Sequence, residues 1–312
     1  MVAVPLDLQN FECLLKNHDS FLFDCDGVLW HGNTLIPGAA EALSLLKAKG
    51  KQVFYVTNNS TSTREQYAEK CRKLGLPAEK KEIVCTAHSA ALYLQDLLRP
   101  TFTCRPKVYL VGCVSIADEL NAVGIDSVGL GPDPVGENFT QDKWRSVELE
   151  DDIDAVVVGF DPHISFIKIL KAASYLKKPL VHFVATNTDQ SFPTTSSRIV
   201  VPGTGCVVAP IAMAADRIPT VMGKPETLMF EYLQKEFELD SAKCVFIGDR
   251  LNTDILLAHK CGMKSVMALS GVSTLEEVEK YQNSSDPQEK LLVPHFFMSD
   301  INVLKELLEQ IN

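Results

Sequence analysis

The chain alternates between short apolar runs and longer segments in which apolar residues recur every three or four positions. Apolar runs that end at glycine or at small polar residues predict buried β-strands, and the longer periodic segments predict amphipathic helices. The predicted strands are 21–23, 52–56, 107–112, 155–160, 181–186, 244–249 and 265–269. The predicted helices are 37–47, 62–74, 116–122, 164–176, 226–237, a helix through His259, and 303–310. Regular alternation of strands and helices predicts an α/β protein with doubly wound, Rossmann-like parallel sheets.

The alternation occurs twice, with one α/β unit nested inside the other. Residues 103–217 have their own series of strands and helices, and the flanking ranges 1–102 and 218–312 form the other series. A chain of 312 residues with 46% hydrophobic composition is long enough for two units that each bury a core. We therefore predict a core domain from 1–102 and 218–312 and an inserted domain at 103–217.

Polar side chains that can carry chemistry follow four predicted strands of the core domain. In chain order they are Asp24 and Asp26, Thr57 with Asn58 and Asn59, Lys224, and Asp249 with Asp254. Each set alone has an ordinary explanation, such as a surface turn, a capped loop, an exposed lysine or a helix cap. Because the carboxyl ends of parallel strands share one edge of a sheet, all four sets together predict one site.

The first set consists of two carboxylates separated by one residue at the end of a strand. Asp24 and Asp26 would point to the same side, while Cys25 faces back into the protein and Gly27 permits a sharp turn. Such acids repel each other unless they share a proton or bind a hard cation such as Mg²⁺. A calcium loop is excluded because Gly27 directly follows the second acid and an apolar strand precedes the pair.

This set of groups suits phosphoryl transfer. Asp24 is predicted to be the nucleophile that forms an aspartyl-phosphate, and Asp26 the general acid and then the general base. Mg²⁺ would be held by Asp24, Asp249 and the backbone carbonyl of Asp26. The phosphoryl oxygens would be bound by the set Thr57, Asn58, Asn59 and Lys224. Asp254 is expected to orient metal-bound water or Lys224 rather than to ligate the metal directly.

Charge and composition remove several other classes of function. The net charge is −10 and no basic cluster occurs, which argues against nucleic acid or an anionic membrane as a partner. No glycine-rich dinucleotide fingerprint follows the first strand, which argues against an oxidoreductase. The start of the chain does not read as a signal peptide, and the nine cysteines form no C-x-x-C pair. A cytoplasmic protein with reduced thiols is therefore expected.

The four sets together resemble the motifs of the haloacid dehalogenase superfamily of phosphatases. The stretches that carry the resemblance are Asp24-Cys-Asp26-Gly-Val, Thr57-Asn-Asn, Gly223-Lys-Pro and Gly248-Asp-Arg-Leu-Asn-Thr-Asp254. The insertion resembles the large α/β cap of the branch that contains p-nitrophenylphosphatases, phosphoglycolate phosphatases and pyridoxal phosphatases. The resemblance implies a Mg²⁺-dependent phosphoric monoester hydrolase that forms a homodimer through its cap.

Within that branch, the cap is expected to select the substrate. The cap stretches 159–163, 186–189 and 202–206 look closer to phosphoglycolate phosphatases than to pyridoxal phosphatases. The resemblance therefore favours 2-phosphoglycolate as substrate, with p-nitrophenyl phosphate as an artificial one and with Phe192 and Pro193 near the entrance. A pyridoxal phosphate or phosphotyrosine-protein phosphatase remains an alternative, as does a catalytically silent binding protein with the same fold.

Overall fold

A computed structural model describes residues 2–99, 105–136, 140–192 and 198–311. The strands are β1 (Val4–Pro5), β2 (Ser20–Phe23), β3 (Trp30–His31), β4 (Thr34–Leu35), β5 (Gln52–Thr57), β6 (Ile83–Cys85), β7 (Lys107–Val111), β8 (Asp126–Val128), β9 (Ala155–Val158), β10 (His182–Ala185), β11 (Ser191–Phe192), β12 (Val201–Pro202), β13 (Thr220–Val221), β14 (Cys244–Gly248), β15 (Lys264–Ala268) and β16 (Phe296–Met298). The helices are α1 (Leu8–Asn17), α2 (Ala39–Ala48), α3 (Arg64–Lys73), α4 (Thr86–Leu98), α5 (Val114–Ala122), α6 (Gln141–Arg145), α7 (Phe166–Leu176), α8 (Gly205–Ala215), α9 (Leu228–Phe237), α10 (Leu256–Lys260), α11 (Leu275–Gln282) and α12 (Ile301–Gln310).

The chain folds into two compact units. Met1–Thr57, Arg64–Val84 and Lys224–Asn312 form the first unit, and Asn58–Thr63 and Cys85–Gly223 form the second. The boundaries differ from the predicted divisions at 102/103 and 217/218. Helix α4 packs on α5 and so belongs to the second unit, and β13 extends that unit because it pairs with β10. The roles of the units as catalytic core and cap stay predictions.

The first unit is built on a seven-stranded sheet in the order β1-β16-β15-β14-β2-β5-β6. Strand β2 lies between β14 and β5 and runs parallel to both. On one face of the sheet, Leu22, Phe54 and Phe246 pack against Met229 and Phe230 of α9 in a buried cluster. The strand that precedes the two predicted catalytic acids is therefore central and buried.

The second unit contains a five-stranded sheet in the order β13-β10-β9-β7-β8, with parallel neighbours throughout. Val156 and Val158 of β9 and Phe183 of β10 pack against residues of α7 and α8, such as Ala172 and Val207. A separate antiparallel pair, β11 and β12, joins Phe192 to Val201. Two parallel sheets with helices packed on them confirm the predicted doubly wound α/β fold.

The chief difference from the predicted elements is α8. No helix was predicted over this stretch, and Pro210 lies inside the helix. The apolar side chains Val207, Val208 and Ile211 are buried in the core of the second unit, which compensates for the hydrogen bond that proline cannot donate. Among the helices of the described ranges, none combines the length and the apolar character needed to cross a membrane.

Candidate active site

The register of the central strands brings three predicted site residues to one edge of the first unit's sheet. Phe23 pairs with Ile247 on one side and with Tyr55 on the other. Asp24 follows directly, and its backbone N–H donates to the carbonyl of Ile247 at 2.8 Å. Asp249 directly follows β14, and Thr57, the last residue of β5, is buried. Sequence reasoning predicted this convergence from the shared direction of parallel strands.

Two glycines leave room for the carboxylate of Asp249. Gly27 has a φ of 92°, and a Cβ atom there would lie 2.5 Å from Oδ2 of Asp249. A Cβ atom on Gly271 would overlap the same oxygen. The backbone N–H of Val272 donates to this Oδ2 at 2.8 Å. The carboxylate is thus closely surrounded by backbone that only glycine permits at these two positions.

Lys224 is a buried cation at the same site. Its ammonium forms ion pairs with Oδ1 of Asp24 and, at 2.7 Å, with Oδ1 of Asp254. It also donates to the carbonyl of Val56 at 3.2 Å. Burial works against its charge, but the Asp24 and Asp254 carboxylates outweigh burial and raise the pKa of Lys224 above its usual value. Lys224 therefore carries a positive charge at the edge of the sheet.

Asp254 connects Lys224 to the loop that carries Asp249. Its Oδ2 accepts hydrogen bonds from the backbone N–H groups of Asp249 at 3.2 Å and Arg250 at 3.0 Å. The residue lies in a π-helical turn, Leu251–Ile255, rather than at the start of an α-helix. A Cβ atom on Gly248 would overlap the side chain of Asp254, which explains the glycine before Asp249. Asp254 thus contacts both Lys224 and the loop of Asp249, and its role in orienting Lys224 stays a prediction.

Three buried acids of the first unit form a group suited to a hard cation. One carboxylate oxygen from each of Asp24, Asp249 and Asp254 lies within 4.8 Å of the others. Burial raises the pKa of Asp24 well above its usual range, and burial together with the Asp254 charge raises that of Asp249 to about 7. Lys224 supplies one positive charge against these three carboxylates. The shortage of positive charge and the all-oxygen donor set fit Mg²⁺.

The side chain of Asp26 has different neighbours. Its Oδ1 accepts a hydrogen bond from the indole Nε1–H of Trp30 at 3.0 Å. Burial raises the pKa of Asp26, and the nearby charge of Lys70 opposes that shift. Among the described residues, its carboxylate is not part of the carboxylate group formed around Asp249. The predicted metal contact of Asp26 was through its backbone carbonyl, which leaves the side chain available for proton transfer.

Two predicted phosphate ligands, Asn58 and Asn59, belong to the second unit. Asn58 donates its side-chain amide to Asp189 Oδ1 at 3.1 Å, and its carbonyl accepts from the side-chain amide of Asn187 at 2.8 Å. The side-chain oxygen of Asn59 accepts from the backbone N–H of Thr61 at 2.8 Å. Sequence reasoning did not predict these partners, because nothing in the spacing relates residue 58 to residues 187–189. A phosphate contact of Asn58 through its backbone N–H stays a prediction.

The predicted specificity residues lie in or after β11. The Phe192 ring packs edge-to-face on Phe160, with 4.8 Å between the ring centroids. Pro193 lies outside the described residues. Next to Phe160, Asp161 forms an ion pair with Lys168 at 2.6 Å, and both side chains are fully buried. Sequence reasoning treated residues 159–163 as a mark of substrate type and missed this structural pair.

Comparison with known proteins supports the same interpretation. A family model described as haloacid dehalogenase-like hydrolase matches residues 21–126, and a second HAD-hydrolase-like model matches 221–294. Glycerol-3-phosphate phosphatase of Homo sapiens is 43% identical over 96% of this chain and 94% of its own length. Phosphoglycolate phosphatase 2 of Arabidopsis thaliana is 36% identical and covers 99% of both chains.

Solved structures give the same result. The glycerol phosphate phosphatase from Mycobacterium tuberculosis in complex with magnesium superimposes with a TM-score of 0.75 at 28% identity. The match covers 94% of this chain and 78% of that one. The predicted resemblance is thus confirmed by two family models, by relatives along nearly the whole chain, and by a shared fold. The chain belongs to the haloacid dehalogenase-like hydrolase family.

Proposed function

We propose that this chain is a Mg²⁺-dependent phosphatase that hydrolyses a small phosphomonoester, with 2-phosphoglycolate favoured, through an aspartyl-phosphate on Asp24. The observation that carries the proposal is the buried ion pair of Lys224 with Asp24, beside the carboxylate of Asp249. A buried cation next to a strand-end carboxylate can hold a phosphoryl group where the carboxylate attacks it. A catalytically silent binding protein would not require this combination.

In the first step, a carboxylate oxygen of Asp24 attacks phosphorus, and the bond between phosphorus and the ester oxygen breaks. Asp26 gives its proton to the departing alcohol oxygen. In the second step, water attacks the phosphorus of the aspartyl-phosphate and gives a proton to Asp26. The bond between phosphorus and Asp24 then breaks, which releases inorganic phosphate and restores both acids.

The remaining residues hold the phosphoryl group and balance its charge. Lys224, the Thr57 hydroxyl and the loop with Asn58 and Asn59 would bind the phosphoryl oxygens during both steps. Mg²⁺, held by Asp24, Asp249 and the Asp26 carbonyl, would supply positive charge that offsets repulsion between the carboxylates and the phosphate dianion. Burial raises the pKa values of Asp24 and Asp249, and a bound divalent cation would stabilise the ionised form of both acids.

The names of the relatives support a small substrate. They include a phosphoglycolate phosphatase at 36% identity and a glycerol-3-phosphate phosphatase at 43% identity. Glycerol 3-phosphate is therefore the second candidate after 2-phosphoglycolate. Phe192, whose ring packs on Phe160, and Pro193 are our candidates for the residues that select the leaving group.

The test is phosphate release from 2-phosphoglycolate, glycerol 3-phosphate, pyridoxal phosphate, a phosphotyrosine peptide and p-nitrophenyl phosphate, with Mg²⁺ or with EDTA. The variants are Asp24→Asn and, as a matched control, Asp19→Asn, which changes an exposed acid just before the same strand. We expect release that requires Mg²⁺, disappears in Asp24→Asn and persists in Asp19→Asn. Release that survives in Asp24→Asn would overturn the nucleophile, and the best substrate would decide the preference.

We also propose that the protein works in the cytoplasm as a homodimer formed through the second unit. All the described cysteines are free thiols, which suits a reducing compartment. Several large apolar side chains of the second unit are exposed, including Leu180, Met213 at the end of α8, and Ile218 just before β13. Burial of such side chains between two copies would remove apolar surface from water. Light scattering after size exclusion tests this, with Met213→Glu expected to shift the mass toward a monomer.

A further inference from the structure

Trp30 holds one oxygen of the predicted acid and base, Asp26. The indole is completely buried, with an exposed fraction of 0%, and its Nε1–H donates to Asp26 Oδ1 at 3.0 Å. The turn between the two residues is closed by the backbone N–H of Gly27, which donates to the carbonyl of Trp30 at 2.8 Å. Trp30 begins β3, whose hairpin with β4 pairs it with Leu35. Backbone pairing therefore fixes the position of the indole donor relative to Asp26.

A lysine from α3 covers the indole. The ammonium of Lys70 lies 4.2 Å from the centre of the Trp30 ring, which is a favourable distance for a cation–π contact. This charge is also the neighbour that most opposes the effect of burial on the pKa of Asp26. Lys70 and the hairpin thus hold the indole from two sides.

The chemistry of indole determines which oxygen of Asp26 carries the proton. An indole N–H can only donate a hydrogen bond, so its partner oxygen must offer a lone pair. In a carboxylic acid the carbonyl oxygen accepts hydrogen bonds better than the hydroxyl oxygen does, so the bond from Trp30 to Oδ1 favours the proton on Oδ2 when Asp26 is protonated. Without this bond, the carboxyl group could rotate about a broad, nearly two-fold torsion and present either oxygen. A fixed orientation is what general acid catalysis requires of the donor.

We propose that Trp30 is a positioning residue for proton transfer, which holds Asp26 so that Oδ2 faces the leaving oxygen. The inference rests on the proposed function of Asp26 as general acid and deepens it. Trp30 touches no reacting atom, so its removal should affect steps that need a proton from Asp26 more than steps that do not. Esters of aliphatic alcohols need this proton, whereas p-nitrophenolate departs without it.

The experiment compares kcat/KM for glycerol 3-phosphate and p-nitrophenyl phosphate in Trp30→Phe. This constant reports the steps through the first phosphoryl transfer, so slow hydrolysis of the aspartyl-phosphate does not mask the effect. General acid catalysis contributes about 10²–10⁴-fold, and loss of orientation should remove about tenfold or more for glycerol 3-phosphate. For p-nitrophenyl phosphate we expect a change of less than about threefold on the same reasoning. Trp144→Phe, at the exposed tryptophan of α6, is the matched control and should change neither.

Asp26→Asn separates this inference from the proposed function. If Asp26→Asn shows no selective loss for the aliphatic ester, the role of Asp26 itself fails. If Asp26→Asn shows the selective loss but Trp30→Phe lowers both substrates equally, or neither, only the positioning role of Trp30 is overturned. Should Trp30→Phe not fold, benzothienylalanine can replace tryptophan in the Trp144→Phe background, because it keeps the ring shape and lacks the N–H donor. The same selective loss is then expected, and its absence would refute the inference.

Discussion

Removal of one partner from the buried ion pair of the second unit should strongly destabilise the protein. In Lys168→Met, the carboxylate of Asp161 would lose its ammonium partner at 2.6 Å and keep the backbone N–H of His163 at 2.8 Å. Both side chains of the pair are fully buried, so water cannot replace the lost charge. An uncompensated buried charge of this kind costs about 3–5 kcal/mol. In a chain of this size, that corresponds to a fall of roughly 10 °C in melting temperature.

The double variant Asp161→Asn/Lys168→Met tests whether the cost comes from charge rather than shape. It removes both charges, and the asparagine oxygen can still accept from His163, so it should be more stable than Lys168→Met alone. The assay is thermal unfolding followed by circular dichroism and calorimetry. Lys171→Met is the matched control, because the ion pair of Lys171 with Asp133 is partly exposed and should cost less than about 1 kcal/mol. The reasoning fails if Lys168→Met is as mild as Lys171→Met, or if the double variant is the least stable of all.

Two further predictions concern the first unit. Gly27→Ala should strain a backbone with a φ of 92° by about 1–2 kcal/mol and displace Asp249, so half-maximal activity should require more Mg²⁺. Gly32→Ala is the matched control, because Gly32 has a φ of 58° and open space around its Cβ position. It should show similar strain and an unchanged Mg²⁺ requirement. Equal shifts of the Mg²⁺ requirement in both variants would contradict the clash with Asp249. Burial, aided by the charge of Lys264, lowers the pKa of His295 to about 4 from 6.5. The unfolded chain then binds the proton more readily, so stability is complete above about pH 6.5 and is lost as the pH falls toward 4. After allowance for partial exposure, the free energy of unfolding should fall by about 2 kcal/mol through this group. Between pH 7 and 4.5, the midpoint of urea unfolding should therefore fall less in His295→Asn than in the wild type. Equal falls in both proteins would contradict the assignment to His295.

The positions of Asp24 and Asp249 could be predicted because each residue directly follows a buried strand. Asp24 and Asp249 lie at the ends of neighbouring parallel strands, where the direction of the chain alone places them at one edge. Lys224 could be assigned to the same site because a lysine in a Gly-Lys-Pro motif suits phosphate binding, and the structure places it against Asp24. For these residues, the local sequence motif and the order of the parallel strands both indicate the same edge of the sheet.

The contacts that were missed depend on side-chain direction or on distant pairing. Trp30 belongs to an apolar run, and nothing in that run shows that its N–H turns back to Asp26. The ion pair of Asp161 and Lys168 joins the loop after β9 to the third residue of α7, and both residues would be expected at the surface. The contact of Asn58 with Asp189 joins residues 131 positions apart. Only three-dimensional packing determines such contacts.

The interrupted first unit has a consequence for how the protein is made. Asp24 and its partner Lys224 are 200 residues apart, and β2 pairs with β14 from the last part of the chain. The bulk of the second unit, Cys85–Gly223, is continuous and lies between them. During synthesis, the strands of the second unit can pair with one another before the ribosome has produced β14, the neighbour of β2. The nascent chain should therefore remain without activity until nearly all of it has been translated.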